Sequence, residues 1–172
     1  MELSVHAITV RQFERSLTAL KGMLTKAVRF AEEKEMSQAD LWSSRLAPDQ
    51  FPLSAQIQIA CDNAKLCVSR LSGVEAPKHE DKEQTLTEFL DRIDSTIAFI
   101  RSVTPEQLAN HQEKQARFHW NPGAHLQGTD YLIEFAIPNF FFHLTTGYSI
   151  MRNKGVPLGK SDYTGPLTWR KD

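Results

Sequence analysis

One regular stripe of apolar side chains near the start of the chain constrains the fold more than any other feature of the sequence. Its members alternate four and three residues apart, which keeps them on one face of an α-helix. They are His6, Val10, Phe13, Leu17, Leu20, Leu24, Ala27 and Ala31. The stripe predicts a helix over residues 4–34, roughly 45 Å long, which needs partner helices along its length because propensity alone does not hold it.

Three later segments with apolar residues at helical spacing predict those partners. The second long helix occupies residues 52–72, since Pro52 suits a first helical turn and Gly73 suits a C-terminal stop. The third follows the apolar residues of 86–100, and the last runs over 129–154. Four long amphipathic helices with little strand pattern predict an all-α protein built as a four-helix bundle.

The connections complete the predicted architecture. The stretch "QADLWSSRL" predicts a short helix after the first long one, with Ser37 as its cap. Residues 111–128 predict a short irregular excursion before the last helix, with an extended piece, because "ARFHW" alternates apolar and polar residues and "NPG" is a turn signal. We expect the Gly- and Pro-rich tail after Gly155 to lie over the surface as an ordered coil. The length of 172 residues predicts a single domain over residues 1–172.

Charge and composition exclude several classes of function. The 20 Lys and Arg residues balance the 21 Asp and Glu residues, so no basic surface for nucleic acid or for an anionic membrane is indicated. No apolar run approaches the roughly 18 residues that would span a bilayer, and the N-terminus lacks an apolar signal core, so we expect a cytoplasmic protein. Cys61 and Cys67 lie about 240° apart on one predicted helix and are interpreted as core residues, which fits a reducing compartment.

The last helix carries one residue that invites a chemical interpretation, His143 in "PNFFFHLTTGYSIMRNKG". Asn139 and Gly147 share its helical face, and Pro138 predicts a kink just before Asn139. Gly147 costs about 1 kcal/mol relative to Ala inside a helix, which close approach of a neighbouring helix or a ligand would explain. The imidazole could be a hydrogen-bonded core residue, the polar anchor of a small-molecule pocket, or a metal ligand or catalytic base.

Few other residues are candidates for a site. Gln56, just inside the start of the second long helix, could face the same layer as His143. The sequence has no Gly-rich phosphate loop, no Gly-x-Ser-x-Gly elbow, no His-Glu-x-x-His zinc motif and no Glu-x-x-His pair of the di-iron bundles. Four other histidines lie in predicted connections and are expected mostly at the surface: His79, His111, His119 and His125.

Three segments, in chain order, are similar to the family catalogued as domain of unknown function 1993. They are "RLAPDQFPLSAQIQIACDNAK", "PNFFFHLTTGYSIMRNKG" and "VPLGKSDYTG". The resemblance covers nearly the whole chain and places it in the DinB/YfiT superfamily, which implies an up-down-down-up four-helix bundle and frequently a homodimer. Many members of that superfamily hold nickel or zinc with one His on the second helix and a His-x-x-x-His pair on the last. Some act as metal-dependent thiol S-transferases or hydrolases.

This sequence departs from the superfamily's metal site at two of the three ligand positions. His143 matches the second His of the pair, because Gly155 follows it at the spacing that the superfamily shows. Asn139 stands at the position of the first His, and the second long helix contains no His, so Gln56 is its nearest polar candidate. One imidazole and two neutral amides make a poor zinc or nickel site. The resemblance therefore implies a degenerate metal site.

Three functions stay open from the sequence. The favoured one is a small-molecule-binding or non-catalytic homodimer without a cofactor, whose former metal cavity is a polar pocket lined by Gln56, Asn139 and His143. The alternative is a metal-dependent enzyme of the DinB/YfiT type, in which His143 binds zinc or nickel or acts as a base, and Asp62, Gln56 or water completes the site. The third is an interaction scaffold whose aromatic residues form a dimer interface.

Overall fold

The computed structural model of the protein describes residues 4–170, and helices make up most of it. The prediction of a mainly helical protein is confirmed. Two π-helical segments, Ala7–Arg11 and Tyr131–Ala136, directly precede α1 and α6, and 3₁₀ turns occupy Glu106–Leu108 and His111–Glu113. The α-helices are α1 (Gln12–Glu33), α2 (Gln38–Ser43), α3 (Leu53–Ser72), α4 (Leu86–Ser102), α5 (Gly128–Asp130), α6 (Ile137–Asn153) and α7 (Lys160–Thr164). The predicted domain over 1–172 extends beyond the described residues and stays a prediction.

The helix ends follow the local chemistry of the sequence. The Ser37 side chain accepts a hydrogen bond from the Asp40 N–H and begins α2, as the sequence predicts. Thr85 and Glu88 form a reciprocal capping box at the start of α4, which satisfies two of its unpaired N–H groups. Gly73 ends α3 in the left-handed conformation, with φ at +84°.

The core lies between the apolar faces of the long helices. The stripe of α1 is fully buried from Phe13 to Ala31, and the Phe13 ring packs on the Phe140 ring of α6 with centroids 4.5 Å apart. His6, the first member of the predicted stripe, is only half-buried. Burying each large apolar side chain stabilises the fold by about 1.5–3 kcal/mol. No helix between residues 4 and 170 is both long and apolar enough to cross a bilayer.

Contacts between the long helices show how they pair. Lys21 of α1 bonds to Asp94 of α4, and Glu14 bonds to Arg101, so residue numbers rise along one helix as they fall along the other. The helix α3 packs against both α4 and α6. A pair of helices that run in opposite directions presents complementary surfaces along its whole length.

The excursion before the last helix contains the predicted extended piece. β1 (Gln115–Arg117) pairs antiparallel with β2 (His125–Gln127) in a two-stranded sheet. Immediately after β2, the backbone of Gly128 approaches the His111 carbonyl so closely that an added Cβ would lie 1.8 Å from the oxygen. Only glycine fits there, so the close of the hairpin and the start of the last helix depend on this residue.

The π-helical segment Tyr131–Ala136 precedes Pro138, and the kink predicted just before Asn139 stays a prediction. The N–H of Ile137 bonds to the carbonyl of Leu132, five residues back rather than four. Pro138 then falls in the first turn of α6, where its missing N–H is tolerated. The backbone therefore changes its hydrogen-bonding pattern just before Asn139.

The tail differs from its prediction as an ordered coil, because it contains the short helix α7. Asp162 accepts a hydrogen bond from the N–H of Gly159 and forms an ion pair with Lys26 of α1. Arg15 of α1 donates to the carbonyl of Thr164 over 2.7 Å. A capping interaction within five residues was enough to nucleate this turn because α1 holds both of its ends.

Candidate functional site

His143 and Gln56 meet at the interface between α6 and α3. The Nδ1 atom of His143 lies 2.7 Å from Oε1 of Gln56, and both side chains are buried, with 7% and 1% of their surface exposed. The two residues lie on different helices and are far apart in sequence, so the packing of α3 on α6 creates the pair. The sequence-based expectation that Gln56 faces the same layer as His143 agrees with this contact.

The hydrogen bonds of Gln56 fix the tautomer of His143. The amide nitrogen of Gln56 donates to the carbonyl of Phe51 over 3.0 Å, so the amide oxygen faces the imidazole. An amide oxygen only accepts, so Nδ1 carries the proton and donates it. Nε2 of the neutral ring then keeps its lone pair.

Burial keeps this imidazole neutral. Removal from water lowers the pKa of His143 below the ordinary histidine value, because a buried cation loses its hydration. No charged group contributes to the shift, so the α3–α6 interface is electrically neutral at this point. At neutral pH the ring is therefore an uncharged acceptor at Nε2.

The lone pair of Nε2 is open to a partner. This atom forms no hydrogen bond with any residue from 4 to 170, and it is not among the atoms sealed from solvent in that range. The Phe142 ring stands edge-on to the imidazole, with centroids 5.2 Å apart. Phe51, whose carbonyl holds Gln56, is 60% exposed, and Phe142 is 57% exposed. The imidazole thus lies beside one exposed aromatic ring, that of Phe142.

Asn139 does not join the Gln56–His143 pair. Its side-chain nitrogen donates to Oδ1 of Asn63 over 2.8 Å, and Asn63 donates in turn to the carbonyl of Ile59. This second polar pair lies one turn of α6 away from His143 and also joins α6 to α3. Asn63 therefore belongs to the site. From the sequence it was only one of several polar residues on the second long helix.

Gly147 lies where α6 approaches α3 near Gln56. The close approach of a neighbouring helix is one of the two explanations expected for a glycine inside this helix. An added Cβ would lie 3.7 Å from Leu53 Cδ1 and 3.8 Å from Gln56 Cβ, which are ordinary van der Waals distances. The helices are close here, yet the space admits a methyl group. Glycine is therefore compatible with this packing without being required by it.

The residues around His143 do not fit a zinc or nickel ion. Within the described part of the chain, no three His, Cys, Asp or Glu side chains converge as metal ligands. The oxygen of Gln56 already accepts from His143, and Asp62 is held on the other side of α3 by Arg92 at 2.8 Å and by Lys65 at 2.9 Å. One imidazole nitrogen with no carboxylate or second imidazole is a weak donor set for these metals.

The cysteines offer no nucleophile. Cys61 and Cys67 are fully buried and unpaired, as the sequence predicts for core residues. Burial raises the pKa of both thiols to about 12, so neither forms a thiolate at neutral pH.

A charged cluster that the sequence did not predict lies between α3 and α4. Arg92 is 3% exposed and contacts Asp62 at 2.8 Å and Glu83 at 2.8 Å. Beside it is an open cleft of about 390 Å³ that His79, Arg92 and Ser95 help to line. The available signal was the position of Arg92 three residues after Phe89, on the apolar face of its helix.

Comparison with known proteins agrees with this fold. The family model described as Domain of unknown function (DUF1993) matches residues 5–164. A crystal structure of a DinB family member protein from Shewanella denitrificans is 42% identical, covers 98% of this chain and 96% of its own, and superposes with a TM-score of 0.94. No curated protein matches the chain. The resemblance read from the sequence is therefore confirmed, and the chain belongs to the DUF1993 family.

Proposed function

We propose that this protein is a small-molecule-binding, non-catalytic homodimer that keeps the place of the superfamily's metal site without its metal. The observation that carries the proposal is the bond from His143 to Gln56, which leaves Nε2 as an uncharged acceptor open to solvent. A former ligand position has thus become a hydrogen-bond acceptor. Asn139 lines the same interface one turn away and completes a neutral polar surface.

The chemistry of the acceptor defines the ligand class. Nε2 has a lone pair and no proton, so the ligand presents an O–H or N–H donor to it. The exposed ring of Phe142 beside the imidazole favours an apolar or aromatic body on that ligand. An anionic ligand is disfavoured, because a neutral imidazole offers no positive charge and no donor on this side.

We further propose the up-down-down-up arrangement for α1, α3, α4 and α6. The bonds of Lys21 to Asp94 and of Glu14 to Arg101 support opposite directions for α1 and α4. The pairs Gln56–His143 and Asn63–Asn139 support opposite directions for α3 and α6.

The proposed homodimer rests on the apolar surface. Three large apolar side chains that the ligand site does not use are exposed and support a second copy as partner: Phe51, Trp120 and Ile133. A second copy that covers such side chains removes their apolar surface from water. We also propose a cytoplasmic location, which the free thiols of Cys61 and Cys67 support.

The alternative is a metal-dependent enzyme with His143 as a zinc or nickel ligand. The open lone pair of Nε2 is the observation that favours it, since an imidazole binds such metals through an unprotonated nitrogen. The poor donor set around His143 argues against it. The two functions predict different responses to added metal.

A matched pair of probes tests the proposal. Phenol carries a donor on an aromatic ring, and anisole carries a methyl group in place of that proton. We expect phenol to shift the Nε2 resonance of His143 in a nitrogen-15 NMR titration, and anisole to leave it unchanged. The His125→Gln variant, altered at an exposed hairpin residue, should respond to phenol as the unchanged protein does.

Added metal provides the discriminating arm of the same experiment. Zinc or nickel added to chelator-treated protein should leave the melting temperature unchanged. A metal at about 100 times its dissociation constant would stabilise the fold by about 2.7 kcal/mol. A zinc-dependent rise in melting temperature that the His143→Phe variant abolishes would replace the proposal with the metal-dependent alternative.

A further inference from the structure

A long connection between α3 and α4, residues 73–85, is held down by a histidine that the proposed function does not use. This connection has no regular secondary structure. His79 lies in its middle and bridges the two helices: Nδ1 is 3.0 Å from Nζ of Lys65 on α3, and Nε2 is 3.0 Å from Oγ of Ser95 on α4. The imidazole is therefore the central attachment of the connection to the groove between the helices.

The partner at Nδ1 dictates the proton position on His79. Lys65 is only 4% exposed and forms an ion pair with Asp62 at 2.9 Å, so its ammonium group donates and has no lone pair to offer. Nδ1 must accept, and Nε2 carries the proton that is donated to Ser95. This tautomer cannot act as a base toward Ser95, so the Lys65–His79–Ser95 chain is not a nucleophilic triad.

Only the neutral form of His79 can keep both bonds. A proton added at Nδ1 removes the acceptor of Lys65 and places a second cation beside a buried ammonium group. The charged groups around the ring are Lys65 and Asp62 from α3, Arg92 from α4 and Glu83 from the connection itself. Asp62 already pairs with both Lys65 and Arg92, so it cannot fully compensate a third positive charge.

A second attachment holds the end of the connection and does not depend on His79. Glu83 accepts from Arg92 over 2.8 Å and from Gln58 over 2.8 Å. Burial raises the pKa of the Glu83 carboxyl, but hydrogen bonds from Arg92 and Gln58 outweigh it, so the net shift is downward. Arg92 also pairs with Asp81 at 2.9 Å and donates to the Glu80 carbonyl over 3.5 Å. These attachments to Arg92 do not use the imidazole, so only residues 75–79 depend on His79.

We propose that residues 75–79 form a latch over the charged groove between α3 and α4, closed by neutral His79 and released when that imidazole gains a proton. Release exposes the buried ammonium group of Lys65 to the cleft that His79 and Ser95 help to line, while Arg92 keeps its carboxylate partners. Glu83 keeps the hinge end of the latch in place.

The electrostatic surroundings set the direction of the pH response. Burial, and then the charges of Lys65 and Arg92, lower the pKa of His79 below the ordinary value. The latch is therefore fully closed at and above the ordinary histidine pKa of about 6.5. It opens as the pH falls through the lowered value.

Backbone relaxation by NMR tests the latch on the full chain. Between pH 7.5 and pH 4.5, we expect the order parameters of residues 75–79 to fall from about 0.85 to below about 0.6, with a midpoint equal to that of the His79 ring titration. The His79→Gln variant should stay ordered throughout, because its amide can accept from Lys65 and donate to Ser95 without titrating. The matched His125→Gln variant should release the latch as the unchanged protein does.

A second variant keeps the test decisive. Lys65→Met removes the donor, so residues 75–79 should already be mobile at pH 7.5, while the order parameters of α3 and α4 stay high. The latch is refuted if residues 75–79 of the unchanged protein stay rigid after His79 has titrated, or if the His79→Gln variant loosens with the same midpoint. Simultaneous loss of order in α3 and α4 also refutes it, because the change is then global unfolding.

Discussion

The helix α3 presents two polar clusters to its two neighbours, and they differ in charge. Toward α6 it offers Gln56 and Asn63, which bond to neutral partners. Toward α4 it offers Asp62 and Lys65, which form ion pairs with Arg92 and with each other. Neutral groups lose little on leaving water when each makes one good hydrogen bond, whereas buried charges require several partners at once.

This difference in charge decides which hydrogen-bonding groups of each interface remain available to a ligand. The charged cluster uses the donors of Lys65 and the carboxylate of Asp62 for its own pairing. In the neutral cluster, one hydrogen bond joins His143 to Gln56, and the lone pair of Nε2 remains available as an acceptor. The neutral interface is therefore suited to bind a ligand, and the charged interface is suited to hold a segment of chain and respond to protons.

The largest expected effect is the loss of the central charge in the α3–α4 cluster. Arg92→Met should lower the free energy of unfolding by about 3–5 kcal/mol, because Glu83 and Asp62 lose the partner that balances their desolvation. Urea denaturation provides the measurement. Arg101→Met is the matched control: its pair with Glu14 is exposed and screened by solvent, so the loss should be much smaller. Equal losses in both variants would remove the distinction between the buried cluster and the surface.

Truncation at the neutral interface should have a smaller effect. His143→Ala leaves the buried oxygen of Gln56 without a donor and should destabilise the protein by about 1–3 kcal/mol in the same denaturation experiment. The double variant His143→Ala with Gln56→Leu should recover part of that loss, since no unpaired oxygen remains. A double variant whose loss is the sum of the two single losses would show that the pair does not couple.

The pH dependence of stability should separate the two histidines. Burial lowers the pKa of His143, and burial with the charges of Lys65 and Arg92 lowers the pKa of His79. In both cases the unfolded chain binds the proton first, so stability is complete above about pH 6.5 and falls as the pH drops through the lowered pKa.

Variants assign the two contributions to that pH dependence. Between pH 7.5 and pH 4.5, His143→Gln and His79→Gln should each remove part of the loss of unfolding free energy. Only His79→Gln should change its dependence on salt, because only that histidine faces cations. The assignment fails if the two variants show the same salt dependence.

The smallest expected effect concerns the spacing of α3 and α6. Gly147→Ala should raise the free energy of unfolding by up to about 1 kcal/mol, and the melting temperature slightly with it. The added methyl group meets Leu53 and Gln56 at normal distances, and alanine favours helix. Gly128→Ala is the contrasting control, since its Cβ would collide with the His111 carbonyl. A destabilised Gly147→Ala variant would mean that the two helices pack more tightly than these distances imply.

The helices were predictable because each depends on local spacing. The stripe through Phe13 and Leu17 predicted the body of α1, and Gly73 predicted the end of α3. The excursion and its extended piece followed from a turn signal. The helix α7 was missed because its stability comes from contacts of Arg15 and Lys26 on α1, which no local pattern reveals.

The site was predictable only for residues whose spacing places them on the inner faces of two neighbouring helices. His143 and Gln56 each lay on the inner face of a predicted helix, and one contact joined them. Asn139 was assigned to the same pocket, but its actual partner Asn63 depends on the exact rotation of α3. The role of His79 was missed because an irregular connection brings it between two helices. Spacing along the sequence carries no information about that path.

The most direct test of the central claim is the protonation state of the two ring nitrogens of His143 at pH 7.5. Long-range nitrogen-15 correlation spectra of the imidazole distinguish the tautomers. The account predicts a proton on Nδ1, bound to Gln56, and an unprotonated Nε2 whose resonance moves when phenol is added. A proton on Nε2, or a charged ring with protons on both nitrogens, would contradict it, because no acceptor would then face the ligand.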